Sequence, residues 1–138
     1  MMKPEKLGRY EIVGELGKGA MGLVYLARDP IIGRELAIKT FRLGFSAKDA
    51  DAEQFKARFL REAQSAGILS HPNIVTIHDV VVDDGGEFFI AMEYVKGTDL
   101  KRYVQEKGRL DSRFVVDIVA QIADGLDYAH KKGVVHRD

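Results

Sequence analysis

Residues 10–41 read YEIVGELGKGAMGLVYLARDPIIGRELAIKTF and contain three short runs whose composition favours β-strands. Apolar and polar residues alternate from Tyr10 to Leu16, Leu23 to Ala27 is short and apolar, and Glu35 to Phe41 is compatible with a strand. Glycines separate the three runs, and Gly33 marks the second turn. Three strands joined by such short turns predict an antiparallel meander.

The remainder of the chain is predicted to contain two further strands and three helices. The first helix, capped by Ser46 or Asp49, ends near Gly67, because its apolar residues recur at three- and four-residue spacing. The segment Asp83-Asp84-Gly85-Gly86 is a strong signal for a hairpin turn. The other predicted elements are the strands Ile74 to Val82 and Phe88 to Val95, a short helix that follows Gly97-Thr98-Asp99 and ends at Val104, and a last helix capped by Asp111 or Ser112 and ending near Lys132.

The composition is that of a globular protein and excludes several classes of function. The chain has 138 residues, 46% of them hydrophobic and 30% charged, and no cysteine, which excludes disulfides, thiolate zinc sites and thiol catalysis. The 21 basic residues balance the 21 acidic ones, so binding to nucleic acid is not expected. The four histidines are scattered, which argues against a metal site. No targeting segment and no apolar run of about 18 residues is present, so we expect a cytoplasmic protein without a membrane segment.

Three glycines, Gly17, Gly19 and Gly22, follow the pattern G-x-G-x-x-G. An ordinary glycine-rich hairpin turn explains this pattern as readily as a phosphate-binding loop does. A dinucleotide-binding turn would lead from a strand into a helix, with an acid about 20 residues later. Here a strand follows Gly22 instead of a helix, and the charged residue near the expected position of the acid is the basic Lys39. Both observations disfavour a dinucleotide-dependent oxidoreductase. A strand–loop–strand flap, whose backbone N–H groups approach phosphate oxygens, fits the flanking runs better.

Lys39 lies in the third predicted strand, where alternation places Ala37, Lys39 and Phe41 on one face. The simpler interpretation is a surface lysine whose stem covers apolar neighbours. The functional interpretation is an ammonium that neutralises phosphate charge beneath the glycine flap, and it requires a carboxylate that holds the lysine in place. Glu62 is the best candidate, because it lies beside the apolar stripe of the first predicted helix. A solvated helix carboxylate next to Arg61 is the alternative.

Five motifs follow one another along nearly the whole chain. They are Gly17-x-Gly19-x-x-Gly22-x-Val24, Ala37-Ile38-Lys39, Glu62, Met92-Glu93-Tyr94-Val95 and His136-Arg137-Asp138. In this order and spacing the chain resembles a protein kinase, and the residues around the motifs resemble the bacterial eukaryotic-like Ser/Thr protein kinases. The resemblance implies an α+β fold. Residues 1–95 would form a small lobe, with a five-stranded antiparallel sheet, one helix and a nucleotide-binding glycine loop. Residues 96–138 would form a linker and the first helices of an incomplete helical large lobe.

The resemblance also implies a role for each matching residue. Three residues would be catalytic: Lys39 would hold the α- and β-phosphates of ATP, Glu62 would orient Lys39, and Asp138 would accept the proton of the substrate hydroxyl. The remaining implied roles belong to Gly17, Gly19 and Gly22 over the phosphates, Leu16, Val24 and Ala37 at the adenine, Met92 as gatekeeper, the backbone of Glu93 and Val95 at the adenine edge, Asp99 near the ribose, Arg137 opposite an activation-loop phosphate, and His136 as a packed structural residue.

The kinase motifs expected after Asp138 do not appear in the 138 residues. They are a catalytic-loop asparagine and an Asp-Phe-Gly metal ligand, so Mg²⁺ is expected for a complete kinase and has no ligands here. We therefore expect a complete domain to transfer the ATP γ-phosphoryl to protein Ser or Thr hydroxyls, and these residues alone to be inactive. The alternative is a non-catalytic module that binds nucleotide, or that self-associates through the apolar face of helix 112–132.

Overall fold

A computed structural model of the chain describes residues 4–19, 22–41, 50–82 and 87–137. Within these residues there are six strands and three helices. In chain order they are β1 Lys6–Leu7, β2 Tyr10–Gly19, β3 Gly22–Arg28, β4 Glu35–Phe41, α1 Ala50–Gly67, β5 Ile77–Val82, β6 Phe88–Glu93, α2 Leu100–Lys107 and α3 Ser112–Lys131. The candidate caps Ser46 and Asp49 and the predicted turn 83–86 lie outside the described residues.

The strands form one antiparallel sheet in the order β1-β2-β3-β4-β6-β5. This sheet, followed by helices, confirms the predicted α+β fold, and within the described residues it adds one strand to the five expected. The added strand β1 pairs Lys6 with Glu11 and Leu7 with Tyr10. A two-residue strand is too short to show alternation, so the sequence pattern does not reveal it.

Alternation along the strands divides their side chains between two apolar clusters, one on each face of the sheet. The cluster on the first face consists of Tyr10, Ala27, Leu36, Ile38, Phe89 and Ala91. The cluster on the second face, which α1 covers, consists of Phe41, Phe88 and Ile90 with Phe59 packed against them and Ala63 from the helix. Each face of the sheet therefore carries a buried cluster, and a residue's place in the alternation decides which face it joins.

Three aromatic rings attach α1 to the sheet. The Phe59 ring of α1 lies 4.1 Å from Phe41 and 4.6 Å from Phe88, centroid to centroid, and Phe41 stacks on Phe88 at 5.4 Å. Each such aromatic pair is worth about 0.5–1.5 kcal/mol beyond the burial of its area. The rings hold α1 over the end of β4 that follows Lys39.

The described residues form two compact units. The first comprises the residues up to Ile68 together with Thr76–Tyr94, and the second comprises Leu69–Val75 and the residues from Val95 onward. The first unit contains the sheet and α1, and the second contains α2 and α3. Residues 69–75 fall within the range 1–95 that the sequence assigns to the small lobe, but in the structure they pack with the helices.

Polar contacts hold the segment 69–75 on α3 within the second unit. The Asn73 side-chain amide donates to the Gln121 carbonyl at 3.0 Å, and His71 Nε2 lies 3.2 Å from an Asp124 carboxylate oxygen. A Cβ built on Gly125 would lie 3.5 Å from Asn73, so a small residue suits this close approach. The segment is bonded to the middle of the helix, which accounts for its grouping with the second unit.

Asp29 organises the turn between β3 and β4. Its buried carboxylate accepts hydrogen bonds from the N–H groups of Ile31 at 2.9 Å and Ile32 at 3.3 Å, and it pairs with Arg9 at 3.3 Å. Gly33, at a φ of 76°, donates its N–H to the Asp29 carbonyl. Burial raises the pKa of the Asp29 carboxyl, but the two N–H donors and Arg9 outweigh it, and the pKa lies below its ordinary value.

The substitution Asp29→Asn is expected to lower the urea midpoint of unfolding near neutral pH. Because the folded-state pKa of Asp29 is depressed, its stabilisation is complete above the ordinary aspartate pKa of about 4 and is lost as the pH falls through the folded value. The gap between the wild-type and Asp29→Asn midpoints should therefore shrink below about pH 4. The exposed Glu15→Gln variant is the control, and an equal loss in both variants would contradict this role of Asp29.

Candidate functional site

Four of the predicted site residues lie on one face of the sheet. Val24 of β3 is directly opposite Lys39 of β4, and Ala37 is directly opposite Met92 of β6. Ala37 and Lys39 are two residues apart, so their side chains point to the same face. Lys39 is also opposite Ile90, which belongs to the cluster beneath α1. We call this surface of β3, β4 and β6 the Lys39 face.

The glycine motif forms the end of the hairpin between β2 and β3. Gly17 pairs with Val24, and Gly19 pairs with Gly22, whereas Ala20 and Met21 lie outside the described residues. A Cβ built on Gly17 would meet no other atom within 4 Å. The space beside Gly17 is therefore open, as a backbone that is to approach a ligand requires.

Gly22 must be glycine for a different reason. A Cβ built on it would lie 2.0 Å from the carbonyl oxygen of Thr40, a backbone atom that cannot turn away. The third glycine of the motif thus lets β3 lie against β4. Sequence reasoning assigned Gly22 only to the phosphates and missed this packing role.

Thr40 is a second feature that sequence reasoning missed. Its hydroxyl accepts a hydrogen bond from the Leu23 N–H at 3.1 Å and donates one to the Leu23 carbonyl at 3.0 Å. The last backbone pair between β3 and β4 is Val24 with Lys39, so the Thr40 side chain extends the attachment one residue further. Threonine is frequent in strands, and no pattern in the sequence distinguishes this one.

Lys39 and Glu62 are not joined in the structure. The Lys39 side chain is exposed, and its Nζ lies 5.4 Å from the centre of the Phe41 ring. The Glu62 carboxylate instead accepts a hydrogen bond from Arg58 Nε at 3.2 Å, and the Glu62 side chain is 57% exposed. Phe59 packs against the sheet and Ala63 is buried, so Glu62 lies at the edge of the apolar stripe of α1. The pairing of Glu62 with Lys39 stays a prediction.

Glu93 ends β6 and is bonded to Thr76 through both its backbone and its side chain. The Glu93 N–H donates to the Thr76 carbonyl at 2.8 Å, and the Glu93 carboxylate accepts from the Thr76 N–H at 3.1 Å. The side-chain bond was not foreseen from the sequence. Tyr94 is the last residue of the first unit, so Glu93 lies on the sheet side of the connection and Val95, 62% exposed, on the helical side.

The predicted site residues of the second unit have local structural roles or lie outside the description. The Asp99 carboxylate caps α2 by accepting from the Arg102 N–H at 2.7 Å, a bond that satisfies a free donor of the first helical turn. His136 is exposed, and its packing inside a complete large lobe stays a prediction; Arg137 has a φ of 63°. Asp138 lies outside the described residues. Of the predicted residues on the first unit, Leu16 is 42% exposed in β2.

Two absences concern only the described part of the chain, residues 4–19, 22–41, 50–82 and 87–137. In these ranges no three histidine, cysteine, aspartate or glutamate residues gather into a group that could hold a metal ion. Of the helices in the same ranges, none combines the length and the apolar character that crossing a bilayer requires.

A family model described as the protein kinase domain matches residues 10–138. The chain belongs to the protein kinase family. This confirms the resemblance seen in the motifs, and the match begins at the first residue of β2 and extends into both units.

Bacterial Ser/Thr kinases are among the relatives of this kinase chain. It is 44% identical over 131 residues to "Serine/threonine-protein kinase PrkC" of Bacillus subtilis (strain 168), a match that covers 95% of the chain and 19% of the relative. It is 41% identical over 131 residues to "Serine/threonine-protein kinase PknF" of Mycobacterium tuberculosis (strain ATCC 25618 / H37Rv), covering 94% of the chain and 26% of that relative. The chain thus spans about a fifth to a quarter of the length of these relatives.

A solved kinase domain has the same fold. The crystal structure of the Mycobacterium tuberculosis PknI kinase domain superposes with a TM-score of 0.82 at 36% sequence identity, and the match covers 100% of this chain and 56% of that one. The matched region is therefore a little over half of a crystallised kinase domain.

Gly22→Ala is expected to destabilise this kinase chain by about 1–3 kcal/mol, because the added methyl group collides with the Thr40 carbonyl and β3 must move. Gly17→Ala is the matched control from the same motif, and its effect should stay within about 0.5 kcal/mol because its Cβ meets open space. Urea unfolding of the two variants measures the difference. Equal stabilities would contradict the packing role of Gly22.

Proposed function

We propose that this chain is part of a Ser/Thr protein kinase that binds ATP on the Lys39 face and, in a complete domain, transfers the γ-phosphoryl to protein hydroxyls. One observation carries the proposal: the strand register gathers Val24, Ala37, Lys39 and Met92 on a single face beside the glycine hairpin. Family membership supplies the reaction class. The close similarity to bacterial Ser/Thr kinases supports the choice of hydroxyl acceptor.

The residues of the Lys39 face suit an adenine nucleotide. Ala37 lies between Leu26 and Met92 in the register, and a small residue there would leave room for a planar ring. Lys39 supplies a positive charge, and the neighbouring Phe41 ring leaves that charge unneutralised. The open space beside Gly17 leaves room for phosphate oxygens to reach the hairpin backbone. ATP supplies the transferable phosphoryl group when it is bound.

The remaining roles in the proposal follow from family position. Glu62 would orient Lys39 by exchanging its hydrogen bond with Arg58, one helical turn away in α1, for one with the Lys39 ammonium. Gly19 would lie over the phosphates, the backbone of Glu93 and Val95 would bond the adenine edge, and Asp138 would accept the proton of the substrate hydroxyl. Leu16 and Val24 would contact the adenine. Asp99 would accept from the ribose hydroxyls, since its capping bond to Arg102 uses only Oδ1 of the carboxylate.

The catalytic-loop asparagine and the Asp-Phe-Gly motif, the metal ligands that the resemblance implies, are not among these 138 residues, so none of the described residues is proposed to hold Mg²⁺. In the described ranges no group of three or more carboxylates or histidines gathers that could hold a metal ion. The metal that a complete kinase requires would then be held by residues other than those described here. We therefore propose that these 138 residues bind nucleotide without completing phosphoryl transfer. A cytoplasmic location, expected from the sequence, is also part of the proposal.

Lys39→Met is expected to weaken ATP binding by about 10- to 100-fold, since hydrogen bonds to a charged group contribute about 1.5–3 kcal/mol. Titration of the chain with a fluorescent ATP analogue measures the affinity. Lys107→Met, which removes an exposed charge from the last turn of α2, is the matched control and should leave the affinity unchanged. ATP affinity that survives in Lys39→Met would contradict the proposed function.

A second candidate function is self-association, and one observation favours it. Val116, Val119 and Ile122 of α3 are 65%, 57% and 49% exposed, an apolar stripe without a cover in the described part of the chain. A second copy of the chain is the proposed occupant, because the same stripe on each copy makes a self-complementary contact. Light scattering should then show a dimer that Val119→Glu dissociates. A monomer at high concentration would exclude this candidate.

A further inference from the structure

The glycine hairpin extends past the part of the sheet that supports it. The backbone pairing of β3 with β4 ends at Val24 and Lys39, whereas the pairing of β2 with β3 continues through Lys18–Leu23 and Gly19–Gly22. The last two pairs of the hairpin therefore have no ladder on the β4 side. A two-stranded ribbon without further support is only marginally ordered in water.

Thr40 provides the attachment that the ladder lacks. Its hydroxyl bonds both backbone groups of Leu23, at 3.1 Å from the N–H and 3.0 Å from the carbonyl. Directly beside this pair, Gly22 lies so close to the Thr40 carbonyl that no side chain fits between them. Within the described residues, Thr40 thus connects β4 to the part of the hairpin that lies beyond Val24, through its hydroxyl at Leu23 and its carbonyl beside Gly22.

Thr40 also follows Lys39 directly in the chain. The same strand thus carries the ammonium on one face and, one residue later, the hydroxyl that holds the hairpin. A shift of the hairpin relative to β4 would change the distance between the hairpin glycines and Lys39. That distance affects the affinity of a ligand that contacts both the glycines and Lys39. A ligand that contacts neither of them would bind with the same affinity after the shift.

We propose that Thr40 is a positioning residue for nucleotide phosphates: its hydroxyl fixes the glycine hairpin at a set distance from Lys39. The inference rests on the proposed nucleotide-binding function and assigns to Thr40 a part that the kinase motifs do not include. The ligands concerned are nucleoside di- and triphosphates. Adenosine, which carries no phosphate, should be bound without help from Thr40.

Thr40→Val keeps the shape of the side chain and removes both hydrogen bonds to Leu23. We expect the affinity of the chain for ATP and ADP to fall by roughly five- to tenfold, the effect of losing about one net hydrogen bond, while its affinity for adenosine stays the same. Thr40→Ser keeps the hydroxyl and should restore ATP affinity. Thr98→Val, at an exposed threonine outside the sheet, is the matched control and should change nothing. Calorimetric titration with each of the three ligands gives these affinities.

The outcomes separate the possible explanations. Unchanged ATP affinity in Thr40→Val would overturn the inference, as would an equal loss for ATP and adenosine, because the latter indicates a loosened sheet rather than a displaced hairpin. If Lys39→Met loses ATP affinity and Thr40→Val does not, only this inference fails. If Lys39→Met retains ATP affinity, the proposed function itself fails.

Amide hydrogen exchange tests the attachment even if Thr40→Val does not fold. In the unsubstituted chain the Leu23 amide should exchange slowly, because it donates to the Thr40 hydroxyl. Exchange of this amide at the rate of a freely exposed one would overturn the inference without any nucleotide in the experiment.

Discussion

Backbone pairing between β3, β4 and β6 determines both what this chain buries and what it leaves for chemistry. In an antiparallel ladder the residues opposite one another share a face, so the register Val24–Lys39–Ile90 and Ala37–Met92 sorts the side chains of three strands at once. Leu36 and Ile38 belong to one apolar cluster, and Ala37 and Lys39, which alternate with them, belong to the Lys39 face. A slip of one residue in β4 would exchange the two sets and bury the lysine.

The end of that ladder is as important as its register. Where the pairing of β3 with β4 ends, the hairpin that carries the glycines continues, and the Thr40 hydroxyl replaces the missing backbone bonds. The same approach leaves room only for glycine at position 22, whereas Gly17 faces open space. The three glycines of the motif are therefore not equivalent. One of them serves the packing of the sheet, and another borders the space that a ligand would occupy.

Much of the fold could be predicted from the sequence, because the alternation from Tyr10 to Leu16 and the apolar stripe of α3 follow local periodicity. Contacts between distant residues could not be predicted in this way. The expected partner of Lys39 was Glu62, but in the structure Arg58 takes the carboxylate, since a partner one helical turn away needs no tertiary approach. The roles of Asp29 and Thr40 also depend on backbone groups that only the folded turn and strand bring within reach.

Methyl NMR of the chain during titration with ATP tests most directly whether the Lys39 face binds nucleotide. Binding there should shift the methyl resonances of Val24, Ala37 and Met92. The methyl groups of Leu36, Ile38 and Ala91 belong to the cluster on the opposite face, so they serve as an internal control and should move little. The absence of shifts, or equal shifts on the two faces, would contradict the assignment of this face to nucleotide binding.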